Sequence, residues 1–376
     1  MRALVLGAAG VVGREVAAGL AAEGAVDALV LGDVDASGLR SLAREVDGTP
    51  RRVGGSDQRS LRAAMRGADL VVNCTTYHLG LAVTRAAIAS GAHYLDLGGL
   101  YNTPKQMALD REARRAGVAV VIGCGATPGL SNVLVRRAAD RLDAVREVHI
   151  SFASHRDLAP SPGLLDTILD EFRPGVPRFV WRAGRLRPVS PFDGARRVRF
   201  PPPLGMQEVY YVPHSETYTI PRSLRGELRE VAVRGTWRPE DMRTLASLSR
   251  LGLTGDQPVR AEGASVAPLA LLRALLLADP PTEPDLPWAF FLHVEVTGVR
   301  GRRKATVVQR ASHPISWGRR ATGRMTAVPA VVGAGEMARG AVRGTGVLPP
   351  ERAFDPLAFL RGVRRLGVTV TSSGPR

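Results

Sequence analysis

The residues best suited to chemistry lie past the middle of the chain, in the segment YYVPHSETYTIPR. In an extended strand alternate residues share a face, so His214, Glu216 and Tyr218 are expected to point the same way. An imidazole, a carboxylate and a phenol on one face can bind an amine and move a proton. Pro213 and Pro221 bracket the segment, which predicts an edge strand or an extended lid. The alternative interpretation is a polar strand face in water.

Further candidate catalytic residues follow two apolar runs in the first third of the chain. Tyr77 and His78 come directly after CTT, and Asp96 ends the next run. Histidine and tyrosine side chains can transfer protons, and a carboxylate can orient an amine or a ribose. The competing interpretations are that His78 only begins a helix and that Asp96 caps one.

Three acids lie on a predicted short helix, LLDTILDEF. Asp166, Asp170 and Glu171 could receive a cationic group of a substrate. Because charged residues on a short helix are usually solvated, exposure to water is the stronger expectation for all three.

A glycine motif near the N-terminus, RALVLGAAGVVGR, predicts a dinucleotide site. An apolar run typical of a buried strand leads into Gly7, Gly10 and Gly13, and a helical pattern follows. Gly7 allows a tight turn, Gly10 lets a pyrophosphate approach the backbone, and Gly13 lets the helix pack closely. The helix N-terminus then offers free N–H groups to phosphates, so contacts from Val11 and Val12 are expected.

The second apolar run ends at Asp33, where a carboxylate can accept hydrogen bonds from ribose hydroxyls. It also repels a 2′-phosphate, so Asp33 favours NAD. Arg14 and Arg40 lie close enough in sequence to leave NADP possible. Asp57, after the third strand, is a candidate contact for the edge of the adenine.

The order of strands and helices predicts how these residues are positioned. Strands and helices alternate over residues 1–127, which indicates an α/β, doubly wound parallel sheet of the Rossmann type with ligands at the carboxyl ends of its strands. Residues 128–325 have amphipathic strands joined by turns and predict a second α+β domain with a mixed or antiparallel sheet. Residues 326–376 turn helical again and are placed back against the nucleotide domain.

The turn GATPGLSNVL marks the passage between the two domains. We expect it to start a helix whose N-terminus faces the cleft and suits a substrate carboxylate. Thr127, Gly129, Ser131 and Asn132 are therefore candidate substrate contacts. A plain interdomain turn is the alternative.

Composition excludes several other classes of protein. The net charge of +16 comes almost entirely from scattered arginines, so a solvated surface is expected rather than a nucleic-acid site. No apolar run is long enough to cross a membrane, and the longest, Val266 to Ala278, predicts a buried or interface helix. No zinc spacing occurs, so no metal is expected. Cys74 and Cys124 are expected to be free thiols. A strand that begins at residue 2 leaves no room for a secretory signal, so a cytoplasmic enzyme is expected.

Three motifs together resemble the saccharopine dehydrogenase-like oxidoreductases, a family that includes saccharopine reductase and lysine 6-dehydrogenase. They are VLGAAGVVGR, VVNCTTYHLGLAVTRAAIASGAHYLDLGG and AGVAVVIGCGATPGLSN. The resemblance implies NAD(P)-linked hydride transfer at a carbon–nitrogen bond and a homodimer built through the second domain. It also implies that Asn73, Cys74 and Thr75 line the nicotinamide. By the same resemblance, Asp96, the 125–132 turn, His214 and Glu216 face the substrate.

The leading hypothesis is an NAD(P)-dependent amino-acid dehydrogenase or imine reductase with a small-molecule substrate, in which His214 with Glu216 handles the amine proton. One alternative is an enoyl reductase, which a wider and more apolar pocket would favour. Another is a dinucleotide-binding protein without turnover.

Overall fold

The computed structural model of the chain describes residues 1–224, 226–280 and 287–375. The first part alternates strands and helices, as its apolar runs predict. Its strands are β1 (Arg2–Leu6), β2 (Ala28–Asp33), β3 (Thr49–Arg52), β4 (Leu70–Asn73), β5 (His93–Asp96) and β6 (Ala119–Val121). Its helices are α1 (Val11–Ala22), α2 (Ala36–Val46), α3 (Gln58–Met65), α4 (Tyr77–Ala89), α5 (Thr103–Met107) and α6 (Asp110–Arg115), with a 3₁₀ turn at Leu100–Asn102.

The middle part is richer in strands joined by turns. It contains α7 (Leu130–Ala139), β7 (Ala144–His155), α8 (Pro162–Phe172), β8 (Phe179–Arg182), β9 (Arg185–Pro188), β10 (Arg196–Arg199), β11 (Met206–Tyr211), α9 (Glu216–Ser223), β12 (Glu230–Thr236), α10 (Pro239–Arg250), β13 (Val259–Ala261), β14 (Ala264–Val266), α11 (Pro268–Ala278), β15 (Ala289–Arg300) and β16 (Arg303–Ser312). After a 3₁₀ helix at Ile315–Arg320, the last part contains α12 (Ala321–Ala338), β17 (Gly346–Leu348), α13 (Pro350–Ala353), α14 (Pro356–Arg365) and β18 (Thr369–Ser373).

Two large sheets organise the described residues. The first has seven strands in the order β17-β6-β5-β4-β1-β2-β3, and all of its pairs are parallel. The second has nine strands along the path β10-β11-β12-β7-β15-β16-β18, with β8 and β9 attached beside β12. Only β12 and β7 pair in parallel within it, so the sheet is mixed. The predicted fold class is confirmed.

Chain order reverses at β1, where β2 lies on one side and β4 on the other. Connections leave this point in opposite directions and open a crevice at the carboxyl ends of the strands. Gly7 follows β1, Asp33 ends β2 and Cys74 follows β4, so all three lie along this crevice. Cys124 follows β6, and β5 lies between β6 and β4, which Cys74 follows. Cys74 and Cys124 are both free thiols.

The last part of the chain contributes to both sheets. β17 extends the first sheet beside β6, and β18 extends the second beside β16. α12 packs along α1, so closely that a Cβ on Gly19 would lie 2.6 Å from a methyl group of Val331. The domain limits at residues 127 and 325 stay a prediction.

Two expectations from the sequence are wrong. The segment around Tyr218 is not extended, because Glu216–Ser223 forms helix α9 and Pro221 lies inside it. The apolar run after Val266 forms α11, but none of its residues is buried, and Leu271 and Leu275 are exposed. An interface role for α11, like the homodimer, stays a prediction.

Candidate active site

One cavity of about 470 Å³ runs from the glycine loop to the second sheet. Its walls come from the ends of β1, β2 and β4, from the segment between β7 and α8, and from α12. The side chains and loop residues that matter below are Gly7, Gly10, Val11, Val12, Asp33, Cys74, Thr75, Tyr77, Thr127, Phe152, Arg156, Glu171, His214, Trp237 and Phe290. The predicted cofactor and catalytic segments therefore share one space.

The glycine loop has the form that a pyrophosphate requires. Gly7 has a φ of +75°, and a Cβ there would lie 2.8 Å from the Cys74 backbone. A Cβ on Gly13 would lie 2.0 Å from the carbonyl oxygen of Gly7, so α1 can approach the loop only with glycine at this position. Gly10 precedes α1 without a side-chain cap, which leaves the first-turn N–H groups free for an anion. The residues present fit a dinucleotide.

Asp33 lies beside the glycine loop and lines the cavity there. Its carboxylate accepts from the Ala9 N–H at 3.0 Å and from the Asp35 N–H at 3.1 Å. Asp33 lines the cavity, whereas Arg14 and Arg40 do not. Arg14 instead donates to Glu45 at 3.0 Å. The carboxylate of Asp33, and neither of these two arginines, therefore faces the part of the cavity beside the glycine loop.

Two other predicted cofactor residues, Asn73 and Asp57, do not line the cavity. Asn73 does not line it, but accepts from the backbone N–H and the hydroxyl of Thr75 at 3.1 and 2.6 Å. It therefore fixes a neighbour that does face the cavity. Asp57 caps α3 by accepting from the Arg59 N–H at 2.9 Å and lies outside the cavity.

The second-domain end of the cavity contains a histidine between two carboxylates. His214 Nε2 lies 3.5 Å from Glu171 Oε1, and His214 Nδ1 lies 3.5 Å from Glu216 Oε2. All three side chains are buried, with exposures of 4% for His214, 2% for Glu171 and 0% for Glu216. His214 and Glu171 line the cavity, and Glu216 lies behind the imidazole.

This arrangement keeps His214 positively charged at neutral pH. Burial opposes the charged imidazole, but contacts with Glu171 and Glu216 outweigh it and raise the pKa of His214 to about 9. Burial also disfavours the charged form of Glu216. The imidazole and two hydroxyl groups nevertheless lower the pKa of this carboxyl. The site can therefore hold a proton that a substrate nitrogen can receive.

The helical conformation of Glu216–Ser223 explains how the side chains of His214 and Glu216 come together. His214 lies two residues before the start of α9, and its carbonyl accepts from the Thr217 hydroxyl at 2.8 Å. Glu216 is the first residue of α9 and accepts from the hydroxyls of Thr127 and Ser131, each at 2.7 Å. A helical turn, rather than strand alternation, brings the two side chains to the same place.

The helix start after the interdomain turn is occupied by the chain itself. Ser131 is buried and donates to Glu216, and Asn132 accepts from the Gly129 N–H at 2.9 Å and donates to Glu351 at 2.9 Å. Among these predicted substrate contacts only Thr127 lines the cavity. The carboxylate beside this helix end is therefore that of Glu216.

The remaining predicted catalytic residues lie apart from His214. Tyr77 lines the cavity and donates to Asp170, and burial raises the pKa of its phenol well above the usual value, so it stays protonated. His78 is exposed and lies outside the cavity. Asp96 is buried away from it and accepts from Gln106 and from the Gly123 N–H, each at 2.6 Å. Tyr218 packs its ring edge against Phe179 instead.

Sequence reasoning did not select Phe152 and Trp237, and it placed Glu171 and Asp170 in water. Both acids are buried, and α8 turns Glu171 inward beside the buried Ile168 and Phe172. Trp237 donates to Glu171 at 3.0 Å, and Phe152 stacks on His214 with ring centroids 5.4 Å apart. Trp237 directly follows β12, a position that could have drawn attention to it, whereas Phe152 lies within β7.

Comparison with known proteins identifies the family. Residues 3–121 match the saccharopine dehydrogenase NADP binding domain, and residues 176–368 match the saccharopine dehydrogenase C-terminal domain. This chain belongs to the saccharopine dehydrogenase family. It is therefore an NAD(P)-dependent oxidoreductase, and the predicted family and cofactor type are confirmed.

Three similar proteins differ widely in sequence from this chain. A carboxyaminopropylagmatine dehydrogenase from a Synechocystis strain is 22% identical over 80% of this chain and 79% of its own. The L-Glu-forming saccharopine dehydrogenase of Saccharomyces cerevisiae has 15% identity and a TM-score of 0.70 over 100% of both chains. A homospermidine synthase of Legionella pneumophila solved with NAD has 14% identity and a TM-score of 0.67, over 100% of this chain and 91% of that one. The two structures show a shared fold.

Metal sites and membrane-spanning helices are both absent from the described residues. No group of three or more His, Cys, Asp or Glu residues there is arranged to hold a metal ion. Nor does that part of the chain contain a helix with the length and apolar character needed to span a membrane. Cytoplasmic location stays a prediction.

Proposed function

We propose that this member of the saccharopine dehydrogenase family reduces or oxidises a carbon–nitrogen bond of an amino-acid-like substrate. The observation that carries the proposal is the charged His214 between Glu171 and Glu216 at the cavity wall. An amine or imine needs a proton delivered to, or taken from, its nitrogen. The names of the relatives, all of which concern amines, support this chemistry.

The chain's own residues divide the work. The glycine loop and α1 would hold the pyrophosphate, and Asp33 the ribose; the bound nicotinamide supplies or accepts the hydride. His214 gives its proton to the substrate nitrogen in the reductive direction and recovers one in the oxidative direction. Glu171 and Glu216 stabilise the imidazolium, and Glu171 also faces the cationic amine. Phe152, Phe290 and Trp237 exclude water from this end.

The apolar wall also favours a second candidate, reduction of a carbon–carbon double bond. An enoyl substrate needs an apolar pocket but no carboxylate beside its proton donor. The test measures oxidation of NADH with a pyrroline carboxylate, a cyclic imine, and with a crotonyl thioester. We expect turnover with the imine. Turnover with the thioester alone would replace the proposal by the second candidate.

We further propose that NAD is preferred over NADP. Asp33 faces the cavity, whereas Arg14 and Arg40 do not line it, so the extra phosphate of NADP meets a negative charge. Asp33→Asn keeps an oxygen for the Ala9 N–H but removes the charge. The ratio of the dissociation constants for NAD and NADP should shift by roughly tenfold or more toward NADP. Titration calorimetry with each cofactor measures it.

Asp35→Asn is the matched control for Asp33→Asn. Asp35 caps α2 by accepting from the N–H groups of Ser37 and Gly38, each at 3.0 Å, and lies outside the cavity. Its replacement should leave the cofactor ratio unchanged. An equal shift in both variants, or none in Asp33→Asn, would refute the assigned preference.

A further inference from the structure

We propose that Arg156 is the anchor for a substrate carboxylate, so that the cavity takes an amine that also bears a carboxylate group. This rests on the proposed function, because it adds a second contact to the same substrate. Arg156 lies just after β7, lines the cavity and has an exposure of only 4%. No role was assigned to it from the sequence.

The guanidinium is held firmly but is not fully used. One terminal nitrogen donates to the carbonyls of Asp157 and Leu158 at 2.7 and 3.2 Å, and the other donates to the carbonyl of Leu164 at 2.8 Å. The buried Nε has no hydrogen-bond partner. An unpaired buried N–H of a charged group is costly, so a ligand atom is expected to complete it. Nε with its neighbouring nitrogen is also the edge of arginine that binds carboxylates bidentately.

The nearby acids already contact other basic groups, so they do not neutralise Arg156. Three carboxylates favour the charged form of Arg156, and each has another basic partner within 3.5 Å. The pairs are Glu171 with His214, Asp157 with Arg319, and Asp241 with Arg238. Burial lowers the pKa of Arg156 to about 10, which still leaves it charged at neutral pH. A buried cation of this kind is matched to an anion from outside the chain.

The position of Arg156 points to the substrate rather than to the cofactor. Its guanidinium carbon lies 4.3 Å from the centre of the Trp237 ring, and the same indole donates to Glu171 at 3.0 Å. Arg156 is therefore one aromatic ring away from the proposed amine site. The phosphates of the dinucleotide have their own cradle at Gly7, Gly10 and the start of α1. A substrate that spans Trp237 would place its nitrogen near His214 and its carboxylate on Arg156.

The test uses pairs of probes that differ by one carboxylate: L-lysine with cadaverine, and L-arginine with agmatine. Calorimetry with the full chain and saturating NAD measures the affinity for each. In at least one pair the carboxylated member should bind roughly ten- to a hundredfold more tightly. Arg156→Gln should remove that difference and leave the affinity for NAD unchanged. Arg156→Lys keeps the charge without the planar fork and should retain part of the difference.

Arg320→Gln is the control variant, because Arg320 pairs with Glu15, which does not act on Arg156, and does not line the cavity. It should keep the preference for the carboxylated probes. Absence of that preference in the wild-type chain overturns the proposal whatever the variants do, and so does a preference that survives Arg156→Gln. A loss of NAD affinity in Arg156→Gln would instead assign the arginine to a cofactor phosphate.

Nicotinamide absorbance, recorded with the same probes, separates this inference from the proposed function. A carboxylate preference that depends on Arg156, seen without any hydride transfer in either direction, keeps the anchor and refutes the proposed reaction. Hydride transfer that is equally fast with both members of each pair supports the proposed reaction and refutes the role of Arg156 as the anchor.

Discussion

His214→Ala is expected to lower kcat for hydride transfer by roughly 10²- to 10⁴-fold. A positioned proton donor contributes about that factor, and His214 is the proposed donor at the wall of the cavity. The cavity runs from the glycine loop to the second sheet, where His214 lies, so the contacts to the pyrophosphate are not touched and the dissociation constant for NAD should stay within about twofold of its wild-type value. Stopped-flow measurement of nicotinamide absorbance, together with NAD titration, gives both quantities.

His78→Ala is the matched control for His214→Ala, because His78 is also a candidate from the sequence but is exposed and lies outside the cavity. It should retain nearly full activity. If both variants lose activity equally, or if His214→Ala turns over normally, His214 is not the proton donor. Loss of NAD binding in His214→Ala would indicate that the variant has lost its fold.

The Rossmann part of the fold was predictable because its signals are local. β1 occupies the apolar run before Gly7, α1 follows the glycines, and Asp33 ends β2. A buried parallel strand is a short continuous apolar run, and glycine spacing fixes the turn that follows. β17 escaped prediction since its three residues carry little pattern of their own and gain a place only by pairing with β6.

The site was predictable only in part, because its geometry depends on contacts between distant segments. His214 and Glu216 were selected for a strand face that does not exist, and they meet through the start of α9. Glu171 was expected in water, since nothing in LLDTILDEF shows that α8 packs with this residue toward His214. Asp96 looked like a cleft residue, yet its carboxylate is used up by Gln106 and backbone N–H groups at a buried strand end.

Glu171→Gln tests the carboxylate pair and should move the pH dependence of the reaction. With one carboxylate gone, burial is less well opposed, so the pKa of His214 should fall by about one unit or more. In the reductive direction the wild-type rate should decline as pH rises through about 9, and the variant should decline at a correspondingly lower pH. Its kcat should therefore be roughly twofold lower near pH 8 and roughly tenfold lower near pH 10. The pH profile and NMR titration of the His214 ring measure the same shift independently.

Asp170→Asn is the control for Glu171→Gln: its side chain neighbours Glu171 on α8 but contacts Tyr77 and Arg173. It should leave the pKa of His214 unchanged even if it weakens the fold.

The free energy of unfolding of Glu171→Gln, measured as a function of pH, is a third test of the carboxylate pair. Since the pKa of His214 is raised from 6.5 to about 9, its ion pairs stabilise the wild-type fold fully below pH 6.5, and this contribution is lost as pH rises through about 9. Glu171→Gln should thus lower the free energy of unfolding near pH 6 by more than near pH 10. A loss that does not vary with pH would mean that Glu171 only fills space beside Trp237, and the carboxylate pair would have no part in holding the proton.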